Sequence, residues 1–346
     1  MNPGTAWVVG SGGLLGSSVN RFIRRSLPET VSWSPMRGFS WNDTGTIERE
    51  LAAATDAYAC AVVESGRPWM VLWCAGAGMV GTPADGMARE TRILEAFLER
   101  LGTALAGRPG CFFLASSAGG VYGGSRETPL TEHSAPFPSS DYGRAKLRHE
   151  EMLAGWAAPH PGVSTLVGRI SNLYGPAQNL AKPQGLIGHL SRCLLHHVPA
   201  HVFAPLDTLR DHLYAPDAAE QILRCMARLR SLPEPTHVTK IIASGQTTSI
   251  AGILAVFSHI AKRQPRIVCS ADPLRRLQPM RLALRSTVWT DLPLPPETLL
   301  VTGIQAVYRY HLELFQAGRL PAPAPFGMFP SAPSAPRTSG DAGAAA

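Results

Sequence analysis

The sequence predicts an α/β fold of the doubly wound kind, a parallel sheet with helices on both faces. Three observations carry that expectation. Short apolar runs alternate with longer helical stretches, the runs are apolar along their whole length, and the first of them leads straight into a cluster of glycines. A strand covered on both faces has no wet side to alternate with, so continuous apolar runs suit a parallel sheet sandwiched by helices.

The elements follow in order. Ala6-Trp7-Val8-Val9 predicts the first strand and Leu14 to Arg25 the first helix, with the glycines as the turn between them. Val31 to Ser34 predicts a second strand, broken by Pro35, which has no backbone N–H to offer a ladder. Thr46 to Glu64 reads as a helix and Trp69 to Cys74 as a strong strand. Ala84 to Leu105 is helical, and Cys111 to Ala115 is the next buried strand. The pair recurs as a helix from Tyr142 to Trp156 and a strand from Val163 to Ile170. Asp217 to Leu229, Val238 to Ala243 and Ser249 to Lys262 then read as helix, strand and helix. From Pro321 onward the composition collapses to Pro, Ala, Gly and Ser, which cannot bury enough surface to order itself, so residues 319–346 are expected to form a disordered tail.

The 346 residues suffice for one large or two small domains. Hydrophobic residues at 45% and charged residues at 16% place the chain with soluble globular proteins. The net charge of +7 comes mostly from scattered Arg, with short groups at Arg21/Arg24/Arg25 and Arg275/Arg276/Arg281/Arg285. No long basic tract or aromatic-interleaved patch accompanies it, so a nucleic-acid partner is not expected, and an anionic small molecule accounts for part of the excess. The six cysteines are spread out without a C-x-x-C, and Cys74 and Cys111 lie in apolar runs. They read as small buried hydrophobes in a reducing compartment. No metal site is expected. The N-terminus lacks a secretory signal and no apolar run reaches the ~18 residues of a membrane span, so the expectation is a cytoplasmic chain without a membrane partner.

Gly10-Ser11-Gly12-Gly13-Leu14-Leu15-Gly16 has the spacing of a dinucleotide turn. Gly10 permits the tight turn, Gly13 lets the backbone approach a pyrophosphate, and Gly16 lets the helix pack on the strand. The acid that commonly ends the second strand and binds ribose hydroxyls is missing. Ser34 stands there, with Arg37 three residues on, a pairing that suits a 2′-phosphate and so favours NADP over NAD.

Tyr142-Gly143-Arg144-Ala145-Lys146 puts a phenol and an ammonium four residues apart on one helix face. A phenol alone is a poor base at neutral pH. An ammonium beside it favours the phenolate, and a cationic nicotinamide ring would favour it further. Upstream, Cys111 to Gly123 is an apolar strand running into Ser116-Ser117 and a glycine loop, at the strand end where a doubly wound sheet opens its ligand crevice.

Over roughly residues 5–315 the chain resembles the extended short-chain dehydrogenase/reductases, the NAD-dependent epimerase/dehydratase family. The likeness rests on the glycine turn, Ser116-Ser117-Ala118-Gly119-Gly120-Val121-Tyr122-Gly123, Thr128 to Glu132 and the Tyr142/Lys146 pair. Arg169 to Pro176, Leu209-Arg210-Asp211 and the residues that follow to Asp217 also contribute. The resemblance implies a Rossmann fold over residues 1–172 and 207–248 that binds NAD(P), and a smaller, discontinuous substrate domain over 173–206 and 249–318. It makes Tyr142 the acid/base, Lys146 its partner and the holder of the nicotinamide ribose, and Ser117 the group that polarises the reacting oxygen, with Ser116 the fallback. Leu14, Leu15, Ala75, Gly76, Ser116 and Ile170 fall at cofactor positions beside Gly10, Gly13, Gly16 and Arg37. Asn172, Arg210 and Arg281 fall at the diphosphate of a nucleotide-linked sugar. The implied work is epimerisation or ketoreduction. Family dehydratases carry Thr-Asp-Glu where Ser117-Ala118-Gly119 stands, so dehydration is not expected. A reductase of a non-nucleotide carbonyl compound and a silent NAD(P)-sensing regulator are the other readings. Ala84 to Leu105 holds Met87, Ile93, Leu94, Phe97, Leu98 and Leu101, more apolar residues than one core stripe needs, and with the Tyr142 to Trp156 helix it suggests a homodimer.

Overall fold

The computed structural model describes residues 4–180, 185–269, 279–294 and 297–323. The tail beyond 323 and the basic pair Arg275/Arg276 lie outside the described residues. Chain order begins β1 (Thr5–Val9), α1 (Leu14–Ser26), β2 (Val31–Trp33), α2 (Thr44–Ser65), β3 (Trp69–Trp73), α3 (Ala84–Ala104) and β4 (Gly110–Ser117). It continues through α4 (Ala118–Val121), α5 (Asp141–Ala157), β5 (Val163–Ile170), β6 (Asn172–Tyr174), α6 (Leu186–Leu195), β7 (Ala200–Val202) and β8 (Leu209–Tyr214). It closes with α7 (Ala215–Arg230), β9 (His237–Ile242), β10 (Thr247–Ser249), α8 (Ile250–Ala261), β11 (Ile267–Cys269), β12 (Arg281–Leu282) and α9 (Leu300–Gln316).

Six strands form the main sheet in the order β2-β1-β3-β4-β5-β9, every neighbouring pair parallel. The continuous apolar runs are the reason: all five residues of β1 and of β3 are buried, because helices cover both faces. On one face Trp7, Trp69, Val71, Trp73 and Phe112 meet Tyr58 of α2, Phe97 of α3 and Leu153 of α5. On the other, Val8, Met70, Leu72 and Phe113 meet Val19 and Ile23 of α1 and Ile222 and Met226 of α7. Strand order steps outward in opposite directions from β1 and β3, which leaves a crevice at the C-terminal ends of those central strands.

A second, smaller sheet runs β10-β8-β12, with β6 also on β8, and β7 pairs with β11. Its core is separate: Tyr174, Ile187, Leu190, Leu194, Ile253, Phe257, Ile304 and Val307 pack together from β6, α6, α8 and α9. The two regions are stitched by Glu132. It accepts hydrogen bonds from the backbone N–H of Ile241 (2.8 Å) in β9 and of Thr287 (2.7 Å), and from the Ser286 hydroxyl.

Two expectations change. The six apolar residues of α3 are all buried within the chain itself: Ile93, Leu94, Phe97, Leu98 and Leu101 in the core with the sheet, α2 and α5, and Met87 against Gly78 in the loop after β3. The surplus that suggested a partner is therefore absorbed internally. Among the cysteines, Cys60 and Cys269 are exposed rather than buried; no disulfide forms. No helix of the described residues is long and apolar enough to cross a membrane.

Candidate active site

The glycine turn is built by close contacts. Gly10 takes φ 86°, and a β-carbon there would lie 2.7 Å from the Ala75 backbone, so the turn presses against the loop leaving β3. A β-carbon on Gly16 would come within 2.2 Å of the Gly10 carbonyl oxygen. Gly12 and Gly13 are different: nothing lies within 4 Å of the first position, and only the Gly10 oxygen, at 3.4 Å, is near the second. The chain's own packing does not demand glycine there, and the bare backbone is open to a ligand. Gly13 caps α1 without a side-chain hydrogen bond, and no acid sits in the first turn. The N–H groups of Leu14, Leu15 and Gly16 are left without intrahelical partners at the positive end of the dipole, an arrangement suited to a pyrophosphate. Beyond β2, Ser34 and Arg37 are both exposed.

Ser116 and Ser117 end β4 pointing to opposite faces. Ser116 turns inward and donates to Glu150 Oε1. Glu150 in turn receives Arg169, Nε at 3.1 Å and Nη2 at 2.7 Å on Oε2, and Arg169 Nη1 donates to the Tyr122 hydroxyl. This buried ion pair joins α5 to β5, and the Ser116 hydrogen bond ties in β4. Sequence reasoning missed it, although Glu150 continues the Tyr142/Lys146 stripe by one more turn. Burial raises the Tyr122 phenol above its ordinary value, against the opposing pull of Arg169.

Ser117 faces the crevice side, half-buried, and caps α4 by accepting from the Gly120 N–H at 3.1 Å. A β-carbon on Gly120 would lie 2.9 Å from Tyr142 Cε1 and 3.3 Å from Ser117 Cβ. Serine and phenol ring therefore flank one glycine. Ser140 caps α5 by accepting from Gly143 N–H at 3.1 Å, which fixes Tyr142 in its first turn. Lys146 is buried one turn on, with Nζ 5.7 Å from the Tyr142 ring centre. Behind it, His149 bonds Thr91 Oγ1 of α3 through Nε2 at 2.9 Å. Burial, then Lys146, pulls that imidazole down to about 3.

Ala75 and Gly76 lie in the loop after β3, Ala75 against the glycine turn and Gly76 beside Lys146. Ile170, expected beside a cofactor, packs its side chain into the core under α1 and α7. Ser116 is likewise turned away from the crevice, so either residue could meet a ligand only through its backbone.

The remaining expected residues share the small sheet. Asn172 on β6 donates from Nδ2 to the Asp211 carbonyl at 3.0 Å. Arg210 on β8 donates from Nη1 to the Leu209 and Met280 carbonyls, at 2.9 and 3.3 Å. Arg210 has no ion-pair partner among the described residues, and desolvation pulls its guanidinium down to about 10. Arg281 opens β12 opposite Leu209, and Leu282 stands opposite Arg210, so the exposed Arg281 side chain leaves the small sheet on the other face from Arg210 and the two are not brought together by the register. Gly175 brings this region to the turn: its β-carbon position is 3.4 Å from Leu14 at the start of α1.

The model of the NAD dependent epimerase/dehydratase family matches residues 6–239. The chain belongs to that family. A dTDP-4-dehydro-6-deoxyglucose reductase of Escherichia coli is 33% identical over 116 residues, 33% of this chain and 36% of the reductase. A dTDP-L-rhamnose 4-epimerase of Burkholderia thailandensis is 29% identical over 140 residues, 39% of this chain and 37% of the epimerase. The matched stretches thus span just over a third of these two curated relatives. Among solved structures, MoeE5 in complex with UDP-glucuronic acid and NAD superposes with a TM-score of 0.72 at 21% identity, covering 90% of this chain and 99% of that one. The shared architecture is that of the family's doubly wound fold.

Proposed function

We propose that the protein is an NAD(P)-dependent epimerase or ketoreductase acting on a nucleotide-linked sugar. The observation that carries the reading is Ser117 and Tyr142 flanking Gly120, with Lys146 one turn behind, in a family member whose glycine turn leaves bare backbone at a helix N-terminus. Gly10, Gly13, Leu14, Leu15 and Gly16 would hold the pyrophosphate, with Ala75 and Gly76 beside it and Ser116 and Ile170 contributing backbone alone. Lys146 would hold the nicotinamide ribose. Exposed Ser34 and Arg37 would receive a 2′-phosphate, which favours NADP. When bound, the dinucleotide supplies the hydride acceptor or donor.

The protein's own groups do the rest. Ser117 would donate a hydrogen bond to the reacting oxygen, and Tyr142 would take the hydroxyl proton on oxidation and return it on reduction. Lys146 stabilises charge on the phenol as the proton leaves. Arg210, with no ion-pair partner among the described residues and partly desolvated, is suited to a diphosphate, with Asn172 on the β6 strand that pairs with β8; Arg281, which pairs with Leu209, leaves β12 on the other face. Likeness to dTDP-sugar enzymes and to a structure holding a UDP-sugar supports that substrate class.

Mass spectrometry of the co-purified dinucleotide and a thermal-shift panel of UDP, GDP, dTDP and ADP test the proposal. A ligand at 100 times its Kd stabilises by about 2.7 kcal/mol. If no nucleoside diphosphate shifts the holo-protein while a simple carbonyl compound is reduced, the sugar-nucleotide reading fails. Arg37→Ala should lower the NADP-to-NAD affinity ratio about tenfold, since a charge-assisted hydrogen bond is worth about 1.5–3 kcal/mol; an unchanged ratio rejects the preference. A homodimer through α3 and α5 would have to pair charged faces, where Arg92, Glu95, Glu99, Arg148 and Glu151 are exposed. Light scattering should then return twice the chain mass, falling as salt is raised; a monomer at low salt rejects the pairing. Six free thiols favour the cytoplasm as its compartment.

A further inference from the structure

Across the loop from Lys146 lies a carboxylate that sequence reasoning did not single out. Glu90 of α3 accepts two successive backbone N–H groups on Oε1, Ala77 at 2.6 Å and Gly78 at 2.5 Å, and so fixes the loop leaving β3. Its Oε2 and Lys146 Nζ both reach the side-chain position of Gly76: a β-carbon there would lie 3.6 Å from the oxygen and 3.5 Å from the nitrogen. Those are ordinary contact distances, and the backbone at Gly76 is not left-handed, so alanine would fit without strain. Glycine instead leaves no side chain at a position that an ammonium and a carboxylate both reach, and the two are not ion-paired among the described residues. Ala75, one residue earlier in the same loop, touches Gly10, so this position lies beside the glycine turn.

The pair restricts what can enter. A phosphate oxygen would suit Lys146 and be repelled by Glu90, and a cationic ring would meet the reverse. A hydroxyl satisfies both, accepting from the ammonium while donating to the carboxylate. We infer that Lys146, Gly76 and Glu90 form a cradle for a ribose hydroxyl of the dinucleotide, with Glu90 as a cofactor-binding residue. The inference rests on the dinucleotide reading above and adds a carboxylate to that site from α3.

Two variants test it, Gly76→Ala and Glu90→Gln, each titrated with NAD and NADP by fluorescence, with melting temperature and UDP affinity measured alongside. Gly76→Ala fills the cradle with a methyl group and should weaken the dinucleotide at least about tenfold, the loss of one charge-assisted hydrogen bond, without lowering the melting temperature or UDP affinity. Glu90→Gln keeps an acceptor for Ala77 and Gly78 and should weaken the dinucleotide about fivefold or more. Wild-type dinucleotide affinity in Gly76→Ala overturns the cradle. Weakening in Gly76→Ala with wild-type affinity in Glu90→Gln overturns the role of Glu90 and leaves the hydroxyl to Lys146. A Glu90→Gln protein that melts early is judged through Gly76→Ala, which keeps the backbone groups of Gly76 and both charged side chains. If the unaltered chain binds neither dinucleotide, the functional reading itself fails, a result distinct from either variant outcome.

Discussion

The main sheet and the smaller sheet carry their functional residues in different ways. In the first, Ser117 and Tyr142 are held by regular structure: β4 locked between β3 and β5, and α5 capped by Ser140 and pinned through Glu150 to Arg169. In the second, Asn172, Arg210 and Arg281 come from three strands of six residues or fewer, joined across long sequence separations, and Arg210 rests on backbone carbonyls with no ion pair among the described residues. Groups that move protons need fixed mutual geometry, whereas a guanidinium that grips a diphosphate needs charge and reach. On the proposed function, chemistry falls to the first region and recognition to the second.

The sharpest way to break that division is Tyr142→Phe. It should cut turnover by about 10²–10⁴-fold with dinucleotide affinity nearly intact; near-wild-type turnover would remove the phenol from catalysis. Next comes the clamp. Glu150→Ala leaves Arg169 buried and uncompensated, and should cost about 3–5 kcal/mol in a denaturant melt. A loss below about 1 kcal/mol would mean that water reaches Arg169. Arg210→Ala belongs to the other region and should raise KM for the nucleotide sugar about tenfold or more while kcat falls less. An equal fall in both kcat and kcat/KM would make Arg210 part of the chemistry.

The smallest effect is on pH. Burial holds His149 at about 3 and His189 and His311 at about 4, all below the 6.5 of an exposed imidazole. The unfolded chain therefore binds these protons first. The associated stability is complete above about pH 6.5 and is lost as pH falls toward the folded values, at about 1 kcal/mol per group by pH 5.5. Because His189 and His311 both belong to the smaller region, hydrogen exchange should open α6 and α9 before the main sheet on acidification. Simultaneous opening would show that the two regions unfold as one.

Legibility follows the same divide. Strands buried on both faces write themselves as apolar runs, so β1, β3, β4 and β5 are readable from residues alone, as are the turn at Gly10 and the Tyr142/Lys146 spacing. The elements left unread are the single turn α4, the helices α6 and α9, and six strands of two to six residues, β6, β7, β8, β10, β11 and β12, whose partners are distant in sequence, such as Arg281 beside Leu209. Nothing local marks a three-residue strand whose ladder is supplied from far along the chain. The direction of Ser116 against Ser117 is readable in principle from the period of two, but which faces the crevice depends on the register of β4 with β5. Glu150 was visible at the right helical spacing, yet its meaning required Arg169. Glu90 had no sequence signal at all, since its role lies in a loop folded back over α3.

Glu132 has a mechanical consequence. By receiving Ile241, Ser286 and Thr287 it rivets the stretch that follows Arg281 to the edge strand of the main sheet, and Leu130 pairs with Leu284 beside it. The seam between the two regions is therefore fastened on that side and cannot act as a free hinge. On the proposed function, a nucleotide sugar would therefore meet a seam whose width is set on that side by the Glu132 rivet.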